Sequence, residues 1–270
     1  MDVLFAYFIY PGLLPTLIGT VLVSVFVLQR NLVLPTDWRK AVLNIDGFAA
    51  IISIVLSISA CMYMPWPSNS VYTSIAGPLL MWAALEIAFL LPPLAAQTAS
   101  SPMIVRGAVR SLQIGLAGRV VIWCVFSALS WANQSWQLLS LPAVLLAWGA
   151  AILALPAAIG IGMFRNNTAL TGMMTTGLNI STVALLRIAS DIRSAVLIFA
   201  VTSSLVPPSV QSTPIRMFLI AVCTIITMLA MRILIANQPF ATLSAALRWC
   251  WWRALPPALL ALLYLSYVVA

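Results

Sequence analysis

The sequence predicts an all-α, polytopic integral membrane protein of eight transmembrane helices, with both termini on the external side. Three observations carry this prediction. The 270-residue chain is 63% hydrophobic and 7% charged, with a mean hydropathy of +1.09, whereas soluble domains carry roughly 25% charged residues. Its apolar runs reach the roughly twenty residues that a helix needs to cross a hydrocarbon core. The connections between those runs alternate between basic and uncharged, the pattern of a chain oriented by its cytoplasmic cations. No stretch between apolar runs exceeds about sixteen residues, so one transmembrane domain over 1–270 is expected.

The expected spans are 4–28, 46–64, 73–96, 111–131, 138–162, 180–207, 214–236 and 249–269. Asp2 precedes the first run without a basic leader or a small-x-small cleavage site, which predicts a retained helix. Loop 29–45 carries Arg30, Arg39 and Lys40, loop 97–110 carries Arg106 and Arg110, and Arg165 follows the fifth span. Loops 65–72 and 132–137 carry no charge. The odd-numbered loops are therefore placed in the cytoplasm. Pro11 and Pro15, Pro92 and Pro93, and Pro256 and Pro257 lie in the first, third and last spans, where each removes a helix hydrogen bond and favours a kink. Asp46, at the cytoplasmic start of the second span, reads as a helix N-cap.

With five acids, thirteen Lys plus Arg and no histidine, the chain has few groups for proton chemistry. Neither a haem nor an imidazole-bound zinc site can be built from it. Cys61, Cys124, Cys223 and Cys250 lie singly in apolar runs without a CxxC pair, as small buried hydrophobes do. Glu86 is the sole glutamate and lies within the run Thr73 to Ala96. A carboxylate at that depth is costly and marks a candidate site.

Glu86 lies ten residues before Ala96, and Arg119 eight residues after Ser111. Both are thus roughly 12–15 Å below the same membrane face. An ion pair between them is expected. It reads either as a pin of helix register or as a proton or quinone site in which Arg119 tunes Glu86. Arg187 and Asp191, four apart on the sixth span, are expected to share a helix face, with Arg193 following. Glu86, Arg119, Arg187 and Asp191 form the candidate intramembrane polar axis. Arg39, Lys40, Arg106, Arg110 and Arg165 are candidates for docking an acidic soluble partner, although orientation and anionic lipid headgroups account for such charges too.

The segment SPMIVRGAVR, with Ser101-Pro102, Gly107-Ala108 and Arg110, resembles the loop after the third span in the membrane anchor subunit of energy-converting hydrogenases and formate hydrogenlyase, where the pattern is DTGSPFGG-x-GASRE. That family is related to subunit 1 of complex I. The stretch Pro239 to Pro257, with Arg248 nine residues after Pro239 and a Trp-rich start to the last span, is similar to the family's closing P-x8-R-x2-W region. The first span, ending in Gln29-Arg30, is similar to a family helix that ends in an acidic-basic pair.

This chain departs from the family in one direction. Thr98 and Ser111 stand where the family's first motif has acids, and Gln29 replaces the acid beside Arg30. The family's I-P-x-D-N-P-x-T-H-x-E stretch resembles Met163 to Gly172, with Asn166 kept but Arg165, Leu170 and Gly172 in place of Asp, His and Glu.

The resemblance implies a divergent membrane subunit that anchors a cytoplasmic redox module and links it to antiporter-like subunits, in a bacterial or archaeal cytoplasmic membrane. The implied partners are membrane lipid, antiporter-like membrane subunits and soluble iron–sulfur or nickel–iron-type redox subunits; no nucleic acid is expected. The missing acids argue against direct proton transfer, because a relay needs titratable groups or water within reach. No cofactor is expected in this chain. A quinone is disfavoured, since no histidine is present and Tyr63 and Tyr72 fall on the external side. Two other readings stay open: an independent multi-pass transporter, for which no internal repeat is visible, and a structural subunit of another membrane complex. With no relay to feed it, Glu86 reads as a structural pin or as a remnant of a polar axis.

Overall fold

The computed structural model describes residues 8–29, 34–67, 76–134, 136–165, 175, 177–207, 210, 212–236 and 238–268. Apolar composition leaves the backbone polar groups to be satisfied within each segment, and in lipid a helix does this. The described residues accordingly form helices and no strand. These are α1 Leu13–Leu22, continuing as a π-helical turn Val23–Leu28; α2 Trp38–Val42; α3 Ile45–Met62; α4 Ala76–Gln97; α5 Pro102–Gln134; α6 Leu141–Ile159; α7 Ile180–Leu205; α8 Thr213–Ile235; α9 Leu243–Arg248, continuing as a second π-helical turn Trp249–Ala254; and α10 Leu255–Val268. The chain is an all-α polytopic membrane protein: α3, α4, α5, α6 and α8 are each long and apolar enough to cross a membrane. Of the other expected spans, α7 has 26 residues but carries three charges, and the first and last are interrupted by π turns.

Several expectations are corrected. Residues 9–12, which include Pro11 and Gly12, form a turn between helical Phe8 and the helix that runs from Leu13, so the first expected span is broken there; its start near residue 4 lies outside the described residues. The fourth span starts at Pro102, nine residues before the expected 111. Ser101 accepts from Ile104 N and Val105 N through its carbonyl, and proline suits the first helical position, where no N–H partner is needed. Arg106 and Arg110 therefore ride on a helix and not on a loop. At 33 residues this helix is roughly 50 Å long, well beyond a ~30 Å hydrocarbon core. Loop 29–45 contains α2, capped by Asp37, whose side chain accepts from Lys40 N at 3.2 Å. Asn44 and not Asp46 is the N-cap of α3; Asp46 lies in its first turn, where a negative charge suits the helix dipole. Asn166, Leu170, Gly172, Arg30 and Tyr72 lie outside the described residues.

The chain divides into two compact units. The first comprises Met1–Leu112 and Asn166–Phe199. In it α3 packs on α4 and buries the small residues Ala49, Ala50, Ser53, Ser57, Ala60 and Cys61, with Ala50 clustered against Ala41, Leu185 and Ala189. Small residues let membrane helices approach closely where hydrophobicity alone gives no preference. Gly47 abuts the carbonyl of Ala41, so α2 turns tightly onto α3 only with hydrogen at that position.

The second unit comprises Gln113–Arg165 and Ala200–Ala270. Here α6 presents Ala143, Ala147, Ala150, Ala151, Ala154 and Ala158, and packs on α10 and α8. A Cβ on Gly118 would lie 2.5 Å from Ala158 N, so α5 and α6 touch backbone to backbone at this point. Hydroxyls and amides satisfy one another across helices: Thr202 and Thr224 share a 2.9 Å hydrogen bond, Trp148 Nε1 donates to Thr227 Oγ1 at 2.9 Å, and Asn133 Nδ2 donates to Ser204 O at 2.8 Å.

Candidate intramembrane polar site

Pro92 cannot donate to the carbonyl four residues before it, and its ring crowds that oxygen. The oxygen belongs to Ala88, which is fully buried. An unsatisfied buried acceptor costs roughly 1–3 kcal/mol. Two donors from other helices occupy it. Ser53 Oγ of α3 donates at 2.8 Å, and Arg193 Nη1 of α7 donates at 2.9 Å. The same Nη1 also donates to Ser53 Oγ at 3.2 Å. The three helices α3, α4 and α7 of the first unit thus meet on one proline-stripped carbonyl. Arg193 is half-buried; the sequence reading passed over it in favour of Arg187 and Asp191. The signal that could have found it was the Pro92-Pro93 pair, which announces unpaired carbonyls that need donors.

Asp191 is 2% exposed and accepts from Ser24 Oγ at 3.4 Å. Ser24 stands in the π turn after α1, and Thr16, Thr20 and Ser24, four apart, are all buried. This gives α1 one hydroxyl-bearing inner face. Thr16 Oγ1 donates to Leu13 O and Thr20 Oγ1 to Thr16 O, each at 2.6 Å, so these two hydroxyls are satisfied on their own helix. Arg187 is exposed whereas Asp191 is buried. Four residues advance a helix by about 400°, leaving a 40° offset, enough at a packed boundary to put one side chain outside and the other inside.

Glu86 is half-buried on α4 and belongs to the first unit, two residues before Ala88. Arg119 is 2% exposed on α5 and belongs to the second. The cluster built by Arg193, Ser53 and Ala88 is a cross-helix hydrogen-bond network, with the buried carboxylate of Asp191 on the same helix as Arg193. It fixes helix positions by charge-assisted bonds.

Of the expected docking residues, Arg39, Lys40, Arg106 and Arg165 are exposed and Arg110 is half-buried. Lys40 Nζ lies 3.2 Å from Asp37 Oδ2. Asp37 lies outside the spans. Its carboxyl is held below the ordinary 3.8, first by the Lys40 backbone N–H and then by the Lys40 side chain. The same corner displays Trp38 at 52% and Leu43 at 87% exposure. The sequence reading did not single out these apolar neighbours of Arg39 and Lys40.

No family model matches this chain, and no curated protein is similar to it in sequence. Its fold is similar to that of a chain in the solved structure of the membrane-bound sulfane sulfur reductase, an archaeal respiratory membrane complex. The TM-score is 0.68 at 19% identity, over 93% of this chain and 96% of that one. At this identity the likeness concerns the fold.

Proposed function

We propose that this chain is an integral membrane subunit of a complex I-like or hydrogenase-like redox assembly, anchoring a cytoplasmic redox module and linking it to antiporter-like subunits. The observation that carries the reading is the end-to-end likeness in fold to a chain of a respiratory membrane complex. Fold alone does not fix function, so the residues are weighed beside it. The departures at Gln29, Thr98, Ser111 and Arg165 support an anchoring role without direct proton transfer. Exposed Arg39, Lys40, Arg106 and Arg165, together with half-buried Arg110, are the proposed contacts to soluble redox subunits. Glu86, Arg119 and Asp191 are proposed as structural pins of the membrane part. In this reading the chain binds no cofactor, spans the membrane eight times with both termini external, and resides in a bacterial or archaeal cytoplasmic membrane.

Charge reversal tests the docking. Arg39→Glu with Arg106→Glu should release the soluble chains from the purified particle while leaving the membrane chains together. Retention of every soluble chain by a folded double variant contradicts the docking assignment.

A further inference from the structure

We propose that the start of the last helix is a binding site for the headgroup of an anionic phospholipid, formed by Arg248 and Arg253 and bordered by Trp251 and Trp252. Arg253 is pre-positioned: its guanidinium carbon lies 4.6 Å from the centroid of the Trp249 ring, within the range of a cation–π contact. Trp249 is itself fixed. Its Nε1 donates to Leu153 O at 2.9 Å, and its ring meets Phe164 edge-on with centroids 6.2 Å apart. Cys250 and Ala246, on the inner side of this segment, are buried against Ile114, Ala157, Met163 and Phe164. The cation therefore rests on an anchored platform and loses little freedom on binding.

The outer side has the chemistry of a membrane surface. Trp252 is 77% exposed and Trp251 43%, beside exposed Arg248 and Arg253. Indole rings favour the headgroup level, where one end is apolar and the other wet. The π-helical turn over Trp249–Ala254 bears on the spacing. In an α-helix two residues five apart would point roughly 140° away from each other. Hydrogen bonds that link residues five apart bring such a pair toward one side.

Charge decides the occupant. The second unit contains Arg119, Arg165, Arg216, Arg232, Arg248 and Arg253 and not one Asp or Glu, and no acid follows Asp191 anywhere in the chain. The unit thus supplies no carboxylate of its own to these two exposed arginines. An anion held beside exposed indoles on a membrane protein is met by a phospholipid phosphate with a negative headgroup. This inference goes beyond the assembly reading and does not depend on it.

The test is native mass spectrometry of the full chain, in its purified particle, exchanged into detergent with equimolar phosphatidylglycerol and phosphatidylcholine. Wild type should retain phosphatidylglycerol over phosphatidylcholine by roughly tenfold or more, two arginines each contributing to attraction by an anionic surface. Arg248→Gln with Arg253→Gln should bring the ratio near parity. The pair Arg248→Lys with Arg253→Lys, which keeps both charges, should preserve most of it. An unchanged ratio in the folded glutamine double variant overturns the proposal. So does loss of a protein chain, with no loss of lipid, from that variant, which would assign the patch to an acidic protein partner. Should the double variant not fold, quenching of wild-type tryptophan fluorescence by brominated phosphatidylglycerol decides. Quenching no stronger than by brominated phosphatidylcholine, or a difference that survives Trp251→Phe with Trp252→Phe, also overturns it.

Discussion

Arg193 Nη1 donates to the carbonyl oxygen of Ala88 at 2.9 Å, and Pro92, four residues further along α4, is the reason that carbonyl needs an outside donor. A helix defect on one element is completed by a charged side chain from another. Ser53 Oγ, 2.8 Å from the same oxygen, completes its coordination, since a carbonyl accepts along two lone pairs.

Removing the cation should therefore be costly, and restoring the helix bond should reduce that cost. Arg193→Met is expected to destabilise the protein by about 2 kcal/mol, the scale of a hydrogen bond to a charged group. In a Pro92→Ala background, where residue 92 again offers an N–H to Ala88, the same change should cost about 1 kcal/mol less. A double-mutant cycle by thermal unfolding in detergent measures this coupling. Additive effects would show that the carbonyl is not what holds Arg193.

Gly118 and Gly149 predict opposite outcomes for the same substitution. A methyl group at Gly118 would lie 2.5 Å from Ala158 N and 2.9 Å from Ala158 Cα. Gly118→Ala should force α5 and α6 apart at a cost of about 1–3 kcal/mol. Nothing lies within 4 Å of the position a methyl would take at Gly149, and there the gain in helix propensity should stabilise by roughly 0.5–1 kcal/mol. Unfolding midpoints of the two variants, read side by side, check both.

Asp37 gives a pH dependence with a fixed sign. Its folded carboxyl titrates below the ordinary 3.8, so the cap contributes above that value and is lost as pH falls through the folded one. Hydrogen exchange in residues 38–42, relative to the intrinsic amide rate, should quicken as pH falls below 3.8. Asp37→Ala should quicken it at neutral pH, whereas Asp37→Asn, which still caps, should behave near neutral pH like the parent. Equal exchange in the alanine variant would remove the cap from the account.

If Glu86 is a pin, Glu86→Gln should weaken the protein while leaving the ion-pumping stoichiometry of an intact assembly unchanged. A changed stoichiometry in a fully assembled Glu86→Gln particle would restore the proton role to this residue.

The apolar runs made most of the helices legible. Ile45–Met62, Ile180–Leu205 and Thr213–Ile235 lie within two residues of the spans read from hydropathy. What hydropathy hid was local chemistry. It could not show that Ser101-Pro102 opens a helix two turns outside the apolar run, or that a five-residue helix capped by Asp37 sits in a basic loop. It ranked Arg187 with Asp191 by spacing, but burial divided them, and the packed arginine was Arg193. Donors that a proline makes necessary come from distant parts of the sequence, so only packing identifies them. The Trp-rich start of the last span was visible as composition, but its π turn and the Arg253–Trp249 contact were not.

Membership of a redox assembly is decided by the chain composition of the purified particle. Solubilised in mild detergent and purified through this chain, the particle should contain antiporter-like membrane chains and at least one iron–sulfur or nickel–iron-type soluble chain, in stoichiometric amounts by mass spectrometry. A lone monomer or homodimer, stable and folded in the same detergent, would contradict the account.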